Sequence, residues 1–214
     1  MQGVHRFHAR RAGGGLTVPV LLCEDGVLAE SAEILAWADR HAPAERKLGP
    51  GSPSLEHDLD EHLGPAGRLW MYHQLHGNVD IAARYITPTV PAWERVFFRA
   101  AFPVVQRVID RVLDVTPERA AEAETIVEET FDEIAGRLAD GRPYLCGERF
   151  SATDLTFAAL SAAVLVPEEY GVALPQPDEL PAPMAERVRA WREHPAGVFA
   201  LRMFRTERHC SSFR

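Results

Sequence analysis

The fold is decided by residues 17–31, which read Thr17-Val18-Pro19-Val20-Leu21-Leu22-Cys23-Glu24-Asp25-Gly26-Val27-Leu28-Ala29-Glu30-Ser31. Two short apolar runs flank Asp25-Gly26, a pair favoured where a tight turn needs positive φ, so the stretch predicts an antiparallel hairpin. Pro19 heads the first run, where a strand loses no ladder donor. From Ser31 the spacing of Ile34, Leu35, Ala38 and His41 becomes helical, and Pro43 ends that helix.

Downstream, Leu48-Gly49-Pro50-Gly51-Ser52-Pro53-Ser54 supports neither helix nor strand. The domain boundary is placed there, separating 1–48 from 54–214. Beyond it, apolar periodicity predicts helices over about 54–77, 92–114, 117–139, 151–166, 182–193 and 196–207. Pro103, inside the pattern Phe98, Phe102, Val105 and Ile109, predicts a kink. The helix from Ser151 is the most strongly marked. Ser151 can cap its free amides, Asp154 can reach back from the third position, and Phe150 can pack on Leu155. Leu155, Phe157, Ala159, Leu160, Ala163, Val164 and Val166 cover most of its circumference, which predicts the buried central helix of the second domain.

Composition narrows the function. A chain of 214 residues, 46% hydrophobic and 25% charged, has the makings of a soluble globular protein with one large domain or two small ones. Its formal charge of -8 argues against a nucleic-acid partner, since binding a polyanion relies on lysine and arginine displacing counterions. No apolar run nears the roughly 18 residues that cross a bilayer, so no membrane partner is expected and the cytoplasm is the default location. Cys23, Cys146 and Cys210 are odd in number and lack metal-type spacing, which predicts reduced thiols and no metal. His73 and His76 lie three apart on one helix face, but no third ligand is spaced to join them. Lys47 is the sole lysine among 23 basic residues, which with alanine-rich helices reads as the coding bias of a GC-rich bacterial genome. His5, Arg6, His8, Arg10 and Arg11 precede the first acid, Glu24, yet no serine precedes Ser31, so this basic start does not read as a transit peptide.

Taken in order, a strand headed by Val18-Pro19, the hairpin, Glu30-Ser31 opening a helix, the proline-marked linker and a helical remainder containing Ser151-x-x-Asp154 resemble the glutathione transferase superfamily. The resemblance covers residues 17–207. It implies an α/β plus all-α architecture, with an incomplete thioredoxin-like N-terminal domain followed by an all-helical C-terminal domain. It further implies that Pro19 is cis and that Val18 pairs its backbone with the cysteinyl part of glutathione. Glu30 and Ser31 match the pair that holds the γ-glutamyl end, and the chemistry suits the place. A helix N-terminus offers unpaired amides and a positive dipole end to a carboxylate, Ser31 adds a donor, and Glu30 can accept from an ammonium. The plainer alternative is that Ser31 only caps its helix. Trp70 and Tyr72, with Trp93, Phe97 and Phe98, fall on the first two helices of the C-terminal domain, where the family builds its pocket for the electrophile. Helical aromatics are more often core. Cys23, on a strand, reads as a buried and inert thiol.

Members of this superfamily activate the glutathione thiol with a tyrosine or serine near the start of the first helix, or place a cysteine there. Residues 1–18 contain none of these, and Thr17, their one hydroxyl, lies beside the proline instead of opening a helix. A strand, a crossover helix and a second strand take roughly 22 residues at mean lengths, so the first βα unit is expected to be missing, with only the second strand surviving near 4–10. A start codon placed too far downstream is the favoured explanation, and no catalytic residue is assigned. Two functions follow. One is conjugation of glutathione, as co-substrate, to a small electrophile by a homodimer. The other is a non-catalytic glutathione-binding or assembly module on the same scaffold.

Overall fold

The computed structural model describes residues 10–11, 19–86 and 91–208, and the chain divides into two compact units, Met1–Gly49 and Pro50–Arg214. In the first unit, β1 (Leu21–Cys23) and β2 (Gly26–Leu28) pair antiparallel, with Leu21 opposite Leu28 and Cys23 opposite Gly26. The turn therefore sits on Glu24–Asp25, one residue earlier than the sequence predicts. The positive φ, 113°, falls on Gly26 as the first residue of β2, where the absent Cβ removes the steric cost. The strand expected near 4–10 lies outside the described residues but for Arg10, which is helical together with Arg11. Val18, and with it the expected cis bond to Pro19, also lies outside them.

Helix α1 (Ser31–His41) starts where the spacing changes, but its N-cap is Glu30, and Ser31 is its first helical residue. Glu33 accepts from the Glu30 N–H at 3.4 Å in a capping box. At the other end, Lys47 Nζ donates to the Asp39 and Arg40 carbonyls at 2.7 and 3.0 Å, and Asp39 accepts from the Leu48 N–H at 2.7 Å. The sole lysine thus neutralises the carbonyl end of α1 and ties the chain leaving it to the helix.

The second unit is helical: α2 (Pro53–Asp58), a π-turn (Leu59–Leu63), α3 (Gly64–Gln74), α4 (Val79–Ile86), α5 (Ala92–Leu113), α6 (Pro117–Leu138), α7 (Ala152–Leu165), α8 (Ala182–Glu193) and α9 (Pro195–Thr206). The single helix predicted over 54–77 is divided by Gly64-Pro65. Proline has no N–H to give and its ring presses on the preceding turn. A wider turn, closed from the Gly64 N–H to the Leu59 carbonyl, absorbs that mismatch while Leu59 and Leu63 both stay buried. The eight residues of α4 escaped the sequence reading, being too few to display a period. Pro103 lies within α5, which runs through it as one helix.

The core gathers where α3 packs on α6 and α7, and α9 packs on α7. Trp70, Leu63, Val127, Phe131, Ile134, Phe157 and Val188 are closed off from solvent there. Phe131 meets Phe157 edge-on at 5.7 Å and Trp70 meets Trp191 edge-on at 4.7 Å, the geometry ring quadrupoles favour. On α7 itself, Phe157 and Val164 are buried, as is Val166 just beyond it, and Leu160 and Ala163 are half-buried, whereas Leu155 and Ala159 face solvent.

Two features close this core. Val166, just past α7, has φ 42°, a left-handed conformation that strains a β-branched residue. Arg192 holds it there, donating from Nε to the Leu165 carbonyl at 2.8 Å and from a terminal nitrogen to the Val166 carbonyl at 2.6 Å and to Gln176 Oε1 at 2.9 Å. These bonds satisfy carbonyls that the helix end leaves open. At the α8–α9 corner a Cβ on Gly197 would stand 1.8 Å from the Trp191 carbonyl oxygen, so the two helices meet only because that position lacks a side chain.

Replacing Gly197 by Ala is therefore expected to destabilise the helical unit by about 3 kcal/mol or more, and Arg192→Ala by about 2 to 4 kcal/mol. Val198→Ala, on an exposed position of α9, is expected to stay within about 0.5 kcal/mol. Urea unfolding followed by circular dichroism measures all three. Equal midpoints for Gly197→Ala and Val198→Ala would refute the packing account of the corner.

Candidate functional site

Two helix N-termini carry the residues singled out from sequence, and they differ in solvation. At α1, Glu30 and Ser31 are exposed, as is Pro19. The Glu33 amide is engaged by the Glu30 carboxylate, and the Ile34 amide reaches the Glu30 carbonyl at 3.1 Å. Among the described residues the Ser31 and Ala32 amides and the Ser31 hydroxyl have no partner. Two amides, a hydroxyl and the positive end of the helix dipole thus face outward together, and the capping carboxylate keeps lone pairs for a further donor.

At α7 the hydroxyl and the acid are instead enclosed. Ser151 and Asp154 are fully buried. One Asp154 oxygen accepts from the Ser151 N–H at 2.8 Å and the Ser151 hydroxyl at 2.6 Å, and the other from the Leu145 N–H at 2.7 Å. Thr153, also buried, accepts from the Ser52 N–H at 2.8 Å and donates to Glu56 Oε1 at 2.7 Å. The first turn of α7 thereby joins the segment before it to the start of α2. Thr153, Glu56 and Leu145 were not visible from sequence, because the partners of Thr153 lie 97 and 101 residues away. The expected Phe150–Leu155 staple is replaced: Leu155 is 38% exposed and Phe150 meets the Tyr144 ring edge-on at 6.0 Å.

The segment leading to Leu145 is itself held by charge. Arg142 grips Asp140 through two nitrogens, at 2.9 and 2.5 Å, and the pair keeps the Asp140 carboxyl at a pKa of about 2, through the Arg142 side chain first and its backbone amide second. Tyr144 and Gly147 then exchange backbone bonds of 3.1 Å, turning the chain so that the Leu145 amide points at Asp154.

The remaining candidates scatter. Trp70 is a core residue, fully buried, with its indole N–H on Glu124 Oε2 at 2.9 Å. Tyr72 is half-buried on α3. Trp93 and Phe97 stand on α5, each 70% exposed, while Phe98 packs on Phe102 at 5.7 Å. His76 bonds Asp110 at 3.1 Å, and among the described residues no cluster of three or more His, Cys, Asp or Glu side chains is arranged to hold a metal. Cys23 is half-buried rather than buried, its thiol 3.6 Å from the Gly26 carbonyl. Among the described residues no helix is long and apolar enough to cross a membrane.

Residues 117–194 match the family model described as "Glutathione S-transferase, C-terminal domain", a span that holds α6, α7 and α8 together with Ser151 and Asp154. Among solved structures the chain is similar to Gtt2 from Saccharomyces cerevisiae, with 21% identity over 87% of this chain and 76% of that one, at a TM-score of 0.34. None of the curated proteins matches it.

Asp154→Ala is expected to lower the stability of the helical unit by about 2 to 4 kcal/mol, since it strands three buried donors, and Ser151→Ala by about 1 to 2 kcal/mol. Unchanged denaturation midpoints would remove this cap from the core. For Asp140 the folded pKa lies below the reference 3.8, so its pairing stabilises the fold fully above that value and loses its effect as pH falls through about 2. Carboxyl NMR should place its titration there, and Arg142→Ala should return it towards 3.8.

Proposed function

On the premise that residues 117–194 belong to the glutathione transferase C-terminal domain family, we propose that this chain binds glutathione at the N-terminus of α1 and serves its transfer to a small electrophile. One observation carries the reading. Glu30 and Ser31 stand exposed at a helix start whose first two amides and one hydroxyl are open among the described residues. The γ-glutamyl end of glutathione bears a carboxylate and an ammonium side by side, and the site offers a donor set for the first and an acceptor for the second. The Ser31 hydroxyl and the amides take the carboxylate; the Glu30 carboxylate takes the ammonium. The plainer role of Ser31 as the helix cap loses ground, because Glu30 holds that position.

In the transfer itself the glutathione thiolate attacks an electrophilic carbon. A carbon–sulfur bond forms, the leaving group departs with its electron pair, and the thiol proton goes to solvent. Bringing a thiol from about pKa 8.5 down by two units takes close to 3 kcal/mol, within reach of one charge-assisted hydrogen bond helped by a helix end. Tyr72, the half-buried aromatic of α3, is proposed to contact the electrophile.

Titration calorimetry with glutathione is expected to give millimolar or tighter affinity, weakened about 5- to 150-fold in Ser31→Ala, the equivalent of about 1 to 3 kcal/mol. No heat from the unmutated chain refutes the site. Binding without turnover of an aryl halide would assign the chain to the second reading, a glutathione-binding or assembly module.

A further inference from the structure

Between α2 with its π-turn and the facing stretch of α6 lies a cavity of about 240 Å³. Each side lines it with four residues of one helix face, spaced by three, one and three. Leu55, Asp58, Leu59 and His62 form one wall, and Ile126, Glu129, Thr130 and Glu133 the other. Facing stripes of that spacing ordinarily close as an apolar seam, each side chain filling the hollow opposite. Here only Leu55, Leu59 and Ile126 are apolar, and carboxylates, an imidazole and a hydroxyl hold the other places. The seam therefore stays open above an apolar floor. Leu55 and Leu59 are buried and Ile126 half-buried, whereas Asp58, His62, Glu129 and Glu133 stand exposed at the rim. Leu59 and His62 belong to the π-turn, a rare geometry found frequently at functional sites.

The bonding of this lining decides what can occupy it. The Thr130 hydroxyl gives its proton to the Ile126 carbonyl at 2.7 Å. His62 Nδ1 lies 2.9 Å from the Asp58 carbonyl, and a carbonyl only accepts. Nδ1 therefore holds the proton of the neutral ring, and Nε2 keeps its lone pair. One Glu133 oxygen takes Arg137 Nε and a terminal nitrogen at 3.0 and 2.8 Å, and the other is open among the described residues. Glu129 has no partner among them. Every free polar atom of the lining side chains is thus an acceptor, and the carboxylates of Asp58, Glu129 and Glu133 stand against the single guanidinium of Arg137. Such a wall repels an anion and offers a neutral acceptor no donor. A bare metal ion fares no better, since among the described residues no group of His, Cys, Asp or Glu side chains is arranged to hold one. What fits is a donor-bearing cation with an apolar body. The space equals that of about eight waters, enough for a molecule of about nine non-hydrogen atoms.

We infer that this cavity binds a small amphipathic amine, its ammonium held by Glu129 and Asp58 and its hydrocarbon body laid on Leu55, Leu59 and Ile126. The site lies within the helical unit and does not rest on the glutathione reading. The test titrates the full chain at neutral pH, without glutathione, with 2-phenylethylammonium, followed by amide NMR. Shifts centred on Leu59 and on Ile126 to Glu133 are expected, with a millimolar dissociation constant that rises several-fold between about 20 and about 200 mM salt. Glu129→Gln should raise that constant about 3- to 5-fold, and the pair Asp58→Asn with Glu129→Gln about 10-fold or more. Both positions are exposed, so circular dichroism should not change. The neutral counterpart 2-phenylethanol should bind about 10-fold more weakly or worse. Absence of shifts at tens of millimolar amine overturns the inference, as does equal binding of the alcohol or indifference to both substitutions. Displacement of the amine by millimolar magnesium or calcium would give the carboxylates to a metal ion, and equally overturns it.

Discussion

Asp154 touches no solvent, and both of its oxygens are committed to donors of the chain: the amide and hydroxyl of Ser151 and the amide of Leu145. A buried carboxylate is tolerable only with its lone pairs met, and the first amides of a buried helix are tolerable only when capped. Each need answers the other here. Because α7 packs against α2, α3, α8 and α9, this one junction fixes where the central helix begins and hence the register in which four others meet it. Thr153 extends the same hold across the chain to Ser52 and Glu56, so the first helix of the unit is fastened to the start of its central one.

How much of this could be read from sequence follows from the range of the interactions concerned. The α7 cap was legible because its partners lie three residues apart, and the α1 start because acid and hydroxyl adjoin. The hairpin was legible in kind but not in register, since the same Asp25-Gly26 pair serves a turn centred on itself or one set a residue earlier with Gly26 opening the strand. Trp70 and Tyr72 looked alike as helical aromatics; that Trp70 belongs to the core depends on Glu124 and Trp191, which no local pattern connects to it. Helix α4 is too short to show a period, and the wide turn before Gly64 satisfies a proline constraint that hydrophobic spacing does not register.

The two capped helix starts also show how one motif serves two purposes. At α7 hydroxyl and acid bond each other and are buried, so that hydroxyl is consumed within the chain. At α1 the order is reversed, acid first and hydroxyl second; the acid takes the cap and the hydroxyl is left outside the box. Whether the hydroxyl sits at the cap position or just after it separates a structural joint from a surface still able to bond something else.

The π-turn at Leu59–Leu63 has a consequence for how the chain keeps its face to the core. Buried Leu55, Leu59 and Leu63 repeat every four residues, and four residues of α-helix advance by about 400°, so such a row creeps around the axis by some 40° at each step. A turn that takes up more residues per revolution subtracts from that creep. The row is brought back into phase before Ala66 and Trp70 continue it on α3. Counted by hydrogen bonds the segment is three pieces; counted by the line of side chains it drives into the core, it is a single unbroken ridge.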